Sequence, residues 1–514
     1  MQKSILKSNV VLFFVVVSVL VITFSTVALA DDGELKVSVG VHSEVTTLDP
    51  RITTELTGRT RINLINEPLV ILDPNYTIVP GLAKDWEYSE DATELTFYLN
   101  EGVLFHHGRE LVADDVKYTI EWVLDESNPA GNRGAYTAIT EVEVINDYEV
   151  KFYLDEVNTF LLNALAQLGI VPEDKAEELG DDFGQEPVGT GPLYFGEWNR
   201  DDNLLLYAFE DYWQGSPTID VLEVKPIPED SARLLAFEAG ELDLITGIVP
   251  DELSRLEEDP NVVIQRAPEA GWNFVGFQNA EGPTTDLNLR KAIAHLVDRE
   301  GIVDNVFQGM GLPGKSPIAP MMDWFNDEID YIEYDRELAR EYYEKSEVYG
   351  EDIKLRIFAS DITSDIRVAE IMQYEINNLG IENVEVIVEE WGAFLSRIVD
   401  TDDYEIIILG WGSVMGPDSA FYRQFHSEGS GNFVSYSNPR MDELLEEGRS
   451  IDPNSDRAIE IYKEAQQIIH DDVPKAFTHY REVVLAHSPE LENFEIYSYT
   501  PNQWLSIPFV EKAE

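Results

Sequence analysis

The sequence has 514 residues, 98 of them Asp or Glu against 36 Lys or Arg, for a formal net charge of −62. So acidic a chain has no means of neutralising many phosphates, which excludes nucleic acid and anionic membrane surfaces as partners. The 44% hydrophobic and 11% aromatic content excludes a disordered chain, and the lack of cysteine excludes disulfides, thiolate metal sites and a cysteine nucleophile.

The acid therefore reads as a solvated skin on a folded protein, whose self-repulsion a salt-rich medium would screen. Residues 1–30 differ in kind from the rest. Lys3 and Lys7 precede an apolar run over 10–30, and Ala28-Leu29-Ala30 is a small-x-small site followed by Asp31-Asp32. This is the three-part pattern of a secretory signal cleaved after Ala30. The same run, left uncleaved, is long enough to anchor the chain in a bilayer of about 30 Å. Export follows either way, with the protein periplasmic or held at the cell surface. No later apolar run is long enough to span a membrane, and residues 31–514 exceed what one core serves, so two or more lobes are expected.

Alternating apolar residues predict strands at 35–41, 94–99 and 149–154, with a helix over about 114–124, an α+β arrangement. Asn75-Tyr76-Thr77 fits a glycosylation acceptor on a turn. Short strands at 222–224 and 242–245 flank a helix over 231–239. Residues 309–316 then match the phosphate-loop pattern G-x-x-x-x-G-K-[ST], ending in Lys315-Ser316. A phosphate loop must follow a strand and open a helix. Here residues 299–307 read as helix, and Pro317 and Pro320 forbid a regular helix afterwards. The segment is a loop that happens to fit the pattern.

Residues 354–409 carry the clearest architecture. Strands at 354–359, 384–388 and 404–409 alternate with helices at 368–379 and 394–399, the pattern of an open, mostly parallel sheet. Ligands of such sheets sit beyond the carboxyl ends of strands. The stretch after Leu409, with Trp411, Gly412 and Asp418, is thus a candidate site; a buried core Trp with a helix-capping Asp is the alternative. Farther on, residues 452–456 begin like a calcium loop, but Arg457 stands where the loop needs Gly, and a helix start near Asp456 explains them. The eight His residues show no metal-ligand spacing. His106-His107 reads as a surface turn with side chains on opposite faces. No nucleophile elbow or other catalytic set is present, so neither an enzyme, a metal nor a cofactor is expected.

A run of blocks gives a more specific reading. Gly81-Leu82-Ala83-Lys84-Asp85-Trp86-Glu87, Phe105-His106-His107-Gly108, Ala113-Asp114-Asp115-Val116, Pro187-Val188-Gly189-Thr190-Gly191-Pro192-Leu193 and Tyr436-Ser437-Asn438-Pro439 occur in that order. Together with Thr47-Leu48-Asp49-Pro50 they resemble the signature of the family 5 extracellular solute-binding proteins, over nearly the whole exported chain. The resemblance implies an α/β, bilobal periplasmic-binding-protein-like fold that closes over ligand and serves an ABC permease, as a monomer. One lobe would combine residues 31–66, 187–268 and 486–514 with an extra α+β domain at 67–186; the other would span 269–485. The family's ligand contacts fall on the segment before Thr47, here Glu44 and Thr46, and on the loop after Trp411 and Gly412, with Trp272 a further expected contact. In peptide-binding members an Asp of that loop pairs with the ligand's ammonium, and Asp418 is the matching acid. Nickel chelates and oligosaccharides are the alternative ligands on this scaffold, and a secreted hydrolase is the reading of another class.

Overall fold

The structure, a computed structural model, describes residues 35–74, 76–89, 92–155, 158, 160–412, 416–451 and 455–512. The expected signal segment, Asn75, residues 413–415 and residues 452–454 of the calcium-like stretch lie outside these residues.

One large sheet organises the protein. In spatial order its strands are Val384–Glu389, Leu355–Ser360, Ile406–Trp411, Val263–Phe277, Lys475–His487, Leu244–Thr246, Lys36–Val41, Val221–Pro226, Asn203–Ala208 and Leu193–Asn199. The first three are parallel, as the alternation of strands and helices requires. Helix Thr363–Leu379 covers them because Val368, Met372, Ile376 and Leu379 recur at helical spacing and are buried together with Leu355, Ile357, Ile406 and Ile408. Gly380 ends that helix at φ 109°, a left-handed conformation that a Cβ would strain. At the other end of the sheet Lys36–Val41 lies parallel to both its neighbours. Val37 and Val39 pack there against Leu222, Trp504 and Ile507.

A separate antiparallel sheet, in the order Ala83–Tyr88, Glu94–Leu99, Glu149–Leu154 and Ile139–Asn146, forms the extra α+β part. Leu95, Phe97, Val150 and Phe152 meet Val116, Ile120 and Val123 of helix Ala113–Leu124 in its core.

Two long strands, Val263–Phe277 and Lys475–His487, run through both halves of the large sheet. Residues 263–268 pair with the part of the second strand that also meets Leu244–Thr246, whereas residues 272–277 pair with Ile406–Trp411. Between them the register slips: Pro268 stands opposite Glu482, but Trp272 stands opposite Tyr480. Residues 269–271 therefore bulge around the single residue Arg481. Bulges bend and twist a strand, and this one lies where the strand changes partners, from the half of the sheet around Leu244–Thr246 to the half around Ile406–Trp411.

Two expectations change in detail. The third parallel strand reaches Trp411 rather than stopping at Leu409, because Trp272 on the antiparallel side keeps Trp411 in the ladder. His106 and His107 do lie on a turn, closed by Gly108 N donating to Phe105 O, but the His106 side chain points inward. Its Nδ1 accepts from Gly189 N at 3.2 Å and its Nε2 lies 2.9 Å from Gly191 O, and burial pulls the imidazole down to about 4. His107 does face outward, 3.2 Å from Asp174. The helix start expected near Asp456 holds: the helix runs Asp456–Asp472, capped by Ser455, whose hydroxyl accepts from Ala458 N.

Candidate functional site

The site is built where strand Ile406–Trp411 ends beside the crossing. Its last residues pair with the stretch that follows the bulge, Trp411 with Trp272 and Gly410 with Asn273. Trp272 is fully buried with its ring edge-on to Phe477, and its Nε1 has no hydrogen-bond partner. Trp411 is half-buried. It tilts against Phe433 at 5.7 Å, and the Arg423 guanidinium lies 5.4 Å from its ring. A half-covered indole flanked by a cation offers apolar area and a charge together, which suits an amphipathic ligand better than a core role does.

The short π-helical segment Asp418–Tyr422 starts six residues after Gly412. Ser419 Oγ donates to Gly416 O at 3.0 Å, and Gln424 Nε2 donates to the carbonyls of Ser419 and Ala420, both at 3.3 Å. Gln424 is held in turn by Lys475 Nζ, 2.8 Å from its Oε1. Asp418 is not a helix cap. Its side chain is 17% exposed and its Oδ1 lies 2.7 Å from Arg449 Nε, out of hydrogen-bond alignment, which makes an ion pair without a directed bond. Burial raises the carboxyl above the usual range, against the pull of Arg449 and Arg423. The same Arg449 guanidinium stacks 3.9 Å over Tyr422. Asn163 of helix Leu161–Leu165 lies 3.6 Å from where a Cβ on Gly416 would stand, so Gly416 sits beside that helix.

Glu44 and Thr46 follow the carboxyl end of strand Lys36–Val41. Glu44 Oε1 accepts from Trp198 Nε1 at 2.7 Å and its other oxygen lies 3.7 Å from Arg200, while Thr46 Oγ1 donates to Glu55 at 2.5 Å. Their polar partners are Trp198, Arg200, Asp201 and Glu55. The structure thus gathers Trp272, Trp411, Gly412 and Asp418, and keeps Glu44 and Thr46 apart from them. Four charged residues that the sequence did not single out stand beside them: Arg423, Arg449, Arg481 and Glu269. Arg481 Nε lies 3.3 Å from Glu269 Oε2 across the bulge. No spacing in the chain joins 269, 412 and 481; only the strand register does.

Lys315 has a different fate. Its ammonium donates to the carbonyls of Asp327 and Ile329, at 3.1 and 2.7 Å, and faces the rings of Phe325 and Tyr331. Its segment enters the sheet as the short strand Leu312–Pro313 beside Lys475–His487.

Residues 77–433 match the bacterial extracellular solute-binding proteins, family 5. The chain belongs to that family. Its members are receptors and not enzymes. The dipeptide-binding protein of Escherichia coli is 26% identical over 448 residues, 81% of this chain and 82% of that protein. Among solved structures, HbpA2 of Haemophilus parasuis superposes with a TM-score of 0.85 at 23% identity, over 91% of this chain and 98% of that one. The periplasmic binding protein DppA of Helicobacter pylori, in complex with the peptide STSA, gives 0.71 at 25% identity, over 94% and 99%. Like these family 5 proteins, the chain is α/β and bilobal. Among its described residues no helix is long and apolar enough to cross a membrane, and no three His, Asp or Glu side chains converge as a metal site.

Proposed function

We propose that this family 5 protein is the exported, monomeric receptor of an ABC importer, binding peptides between its lobes and handing them to a membrane permease. The observation that carries the reading is the juxtaposition, at one loop beside the strand crossing, of a half-covered tryptophan with charges of both signs. A peptide has an ammonium, a carboxylate and apolar side chains, and each finds its complement there. The relatives described as peptide-binding point the same way. In this reading residues 31–66, 187–268 and 486–514 form one lobe with the extra domain 67–186, and residues 269–485 form the other. The bulge at residues 269–271 is the hinge, and Asp418 takes the ligand's ammonium. Trp411 walls the apolar part, with Gly412 leaving room beside it; Trp272 backs Trp411, while Glu44 and Thr46 supply the facing lobe's edge once the lobes close.

A ligand that binds only the native state adds RT ln(1 + [L]/Kd) to its stability, about 2.7 kcal/mol at a hundredfold excess over Kd. Thermal unfolding of residues 31–514 with a mixed di- to pentapeptide library should therefore show a raised midpoint for at least one pool. No shift with any pool, alongside a shift with a nickel chelate or an oligosaccharide, would replace peptides by that ligand.

A further inference from the structure

Arg481 stands opposite the three-residue bulge, with its guanidinium lodged between two glycines. A Cβ on Gly271 would lie 3.0 Å from its Nε and Nη2, and one on Gly412 would overlap Nη2. Any side chain at either position would displace the group. Its Nε is buried and makes no hydrogen bond, yet the side chain keeps 39% exposure, so the Nη edge faces the open side of the site. Among the described residues nothing hydrogen-bonds that edge. Arg290 and Arg299, by contrast, spend their guanidiniums on backbone carbonyls.

The surroundings reinforce the point. Arg423 lies 5.4 Å from the Trp411 ring and Arg449 lies 2.7 Å from Asp418. Arg449 and Arg423 thus act on the Asp418 carboxylate, and Arg481 on that of Glu269: three guanidiniums to two carboxylates. This is a local cationic excess in a chain whose net charge is −62. A planar guanidinium edge matches the two oxygens of a carboxylate. We propose that Arg481 is a specificity-determining residue that receives a carboxylate of the bound solute at the lobe crossing. The proposal rests on the peptide reading, in which the carboxylate is either the peptide's C-terminus or an acidic side chain. Glu269 is the group that the ligand's carboxylate displaces from Arg481.

Calorimetry on residues 31–514 tests it with two matched pairs: trialanine against trialaninamide, and Ala-Glu-Ala-amide against Ala-Gln-Ala-amide. The wild type should bind the carboxylate member of at least one pair roughly tenfold or more tightly than its neutral twin, and the responding pair tells C-terminus from side chain. Arg481→Gln should bring that ratio to about one, and Arg481→Lys should fall between, since an ammonium lacks the planar fork. Should Arg481→Gln fail to fold, Gly412→Ala, which displaces the guanidinium, should abolish the same preference. Equal binding within both pairs in the wild type, or a preference that survives these variants, overturns the proposal. If none of the four peptides binds, it is the peptide reading that loses support. Arg481 is then judged by its side-chain 15N resonances during titration with glutarate and with glutaramide. A shift with glutarate alone upholds the anchor, and unmoved resonances overturn it.

Discussion

Asp418 is a half-neutralised carboxylate, and its partner sets the size of any effect. Because Arg449 already lies 2.7 Å away, a peptide ammonium shares the carboxylate rather than meeting it bare. Asp418→Asn should weaken a free peptide roughly tenfold, the worth of one charge-assisted hydrogen bond, and leave an N-acetylated peptide unaffected. Equal affinities for both proteins would remove Asp418 from the ammonium role. Lys475 is a second residue with a checkable signature. It is buried, bonded to Gln424, and lies 4.4 and 4.7 Å from the rings of Phe274 and Phe425. Burial pulls its ammonium down to about 7. From about pH 7 to 10 the unfolded chain therefore keeps a proton that the folded protein has released, so stability rises with pH across this window. Below it the buried charge opposes folding. Urea midpoints at neutral and mildly alkaline pH should rise in the wild type by more than in Lys475→Met; identical slopes would show that Lys475 stays protonated. Neither Lys475 nor Arg481 was legible as special in the sequence, since a lysine or arginine in a strand gives no sign of what its neighbours from other segments are.

Elements were more legible than contacts. The strands and helices over residues 355–411 could be read from periodicity, because each burial pattern is set within a few residues. Where a strand stops is another matter: Trp411 stays in the ladder through Trp272, far off in sequence. His106 makes the same point. Opposite faces for His106 and His107 follow from local geometry, but which face is buried depends on Gly189 and Gly191, more than eighty residues away. The 309–316 loop is a case in which local context sufficed. With Lys315 already donating to two carbonyls, ATP should not bind the wild type or Lys315→Ala in an equilibrium dialysis assay. The variant should lose about 1 kcal/mol of stability with those hydrogen bonds. Nucleotide binding that the substitution abolishes would restore the phosphate-loop reading.

The whole molecule carries its charge as a global property. At a net −62 the folded state repels itself, and salt shortens the reach of that repulsion from about 10 Å at 0.1 M to about 3 Å at 1 M. The thermal midpoint should rise between these concentrations of potassium chloride; a flat or falling midpoint would mean that the surface ion pairs outweigh the repulsion. The two crossing strands and the core around Lys36–Val41 have a consequence for how the protein is made. That core needs Trp504, Ile507 and Val510 beside Val37 and Val39, and Asn63 Nδ2 donates to Pro501 O from 438 residues away. The partners of strands 355–360 and 384–389, by contrast, are near one another in the chain. During export, which delivers residues in order from the first, the strand that emerges earliest waits for nearly all the rest, while the intervening parallel sheet can assemble as it arrives. The receptor is thus completed at the end where it was begun.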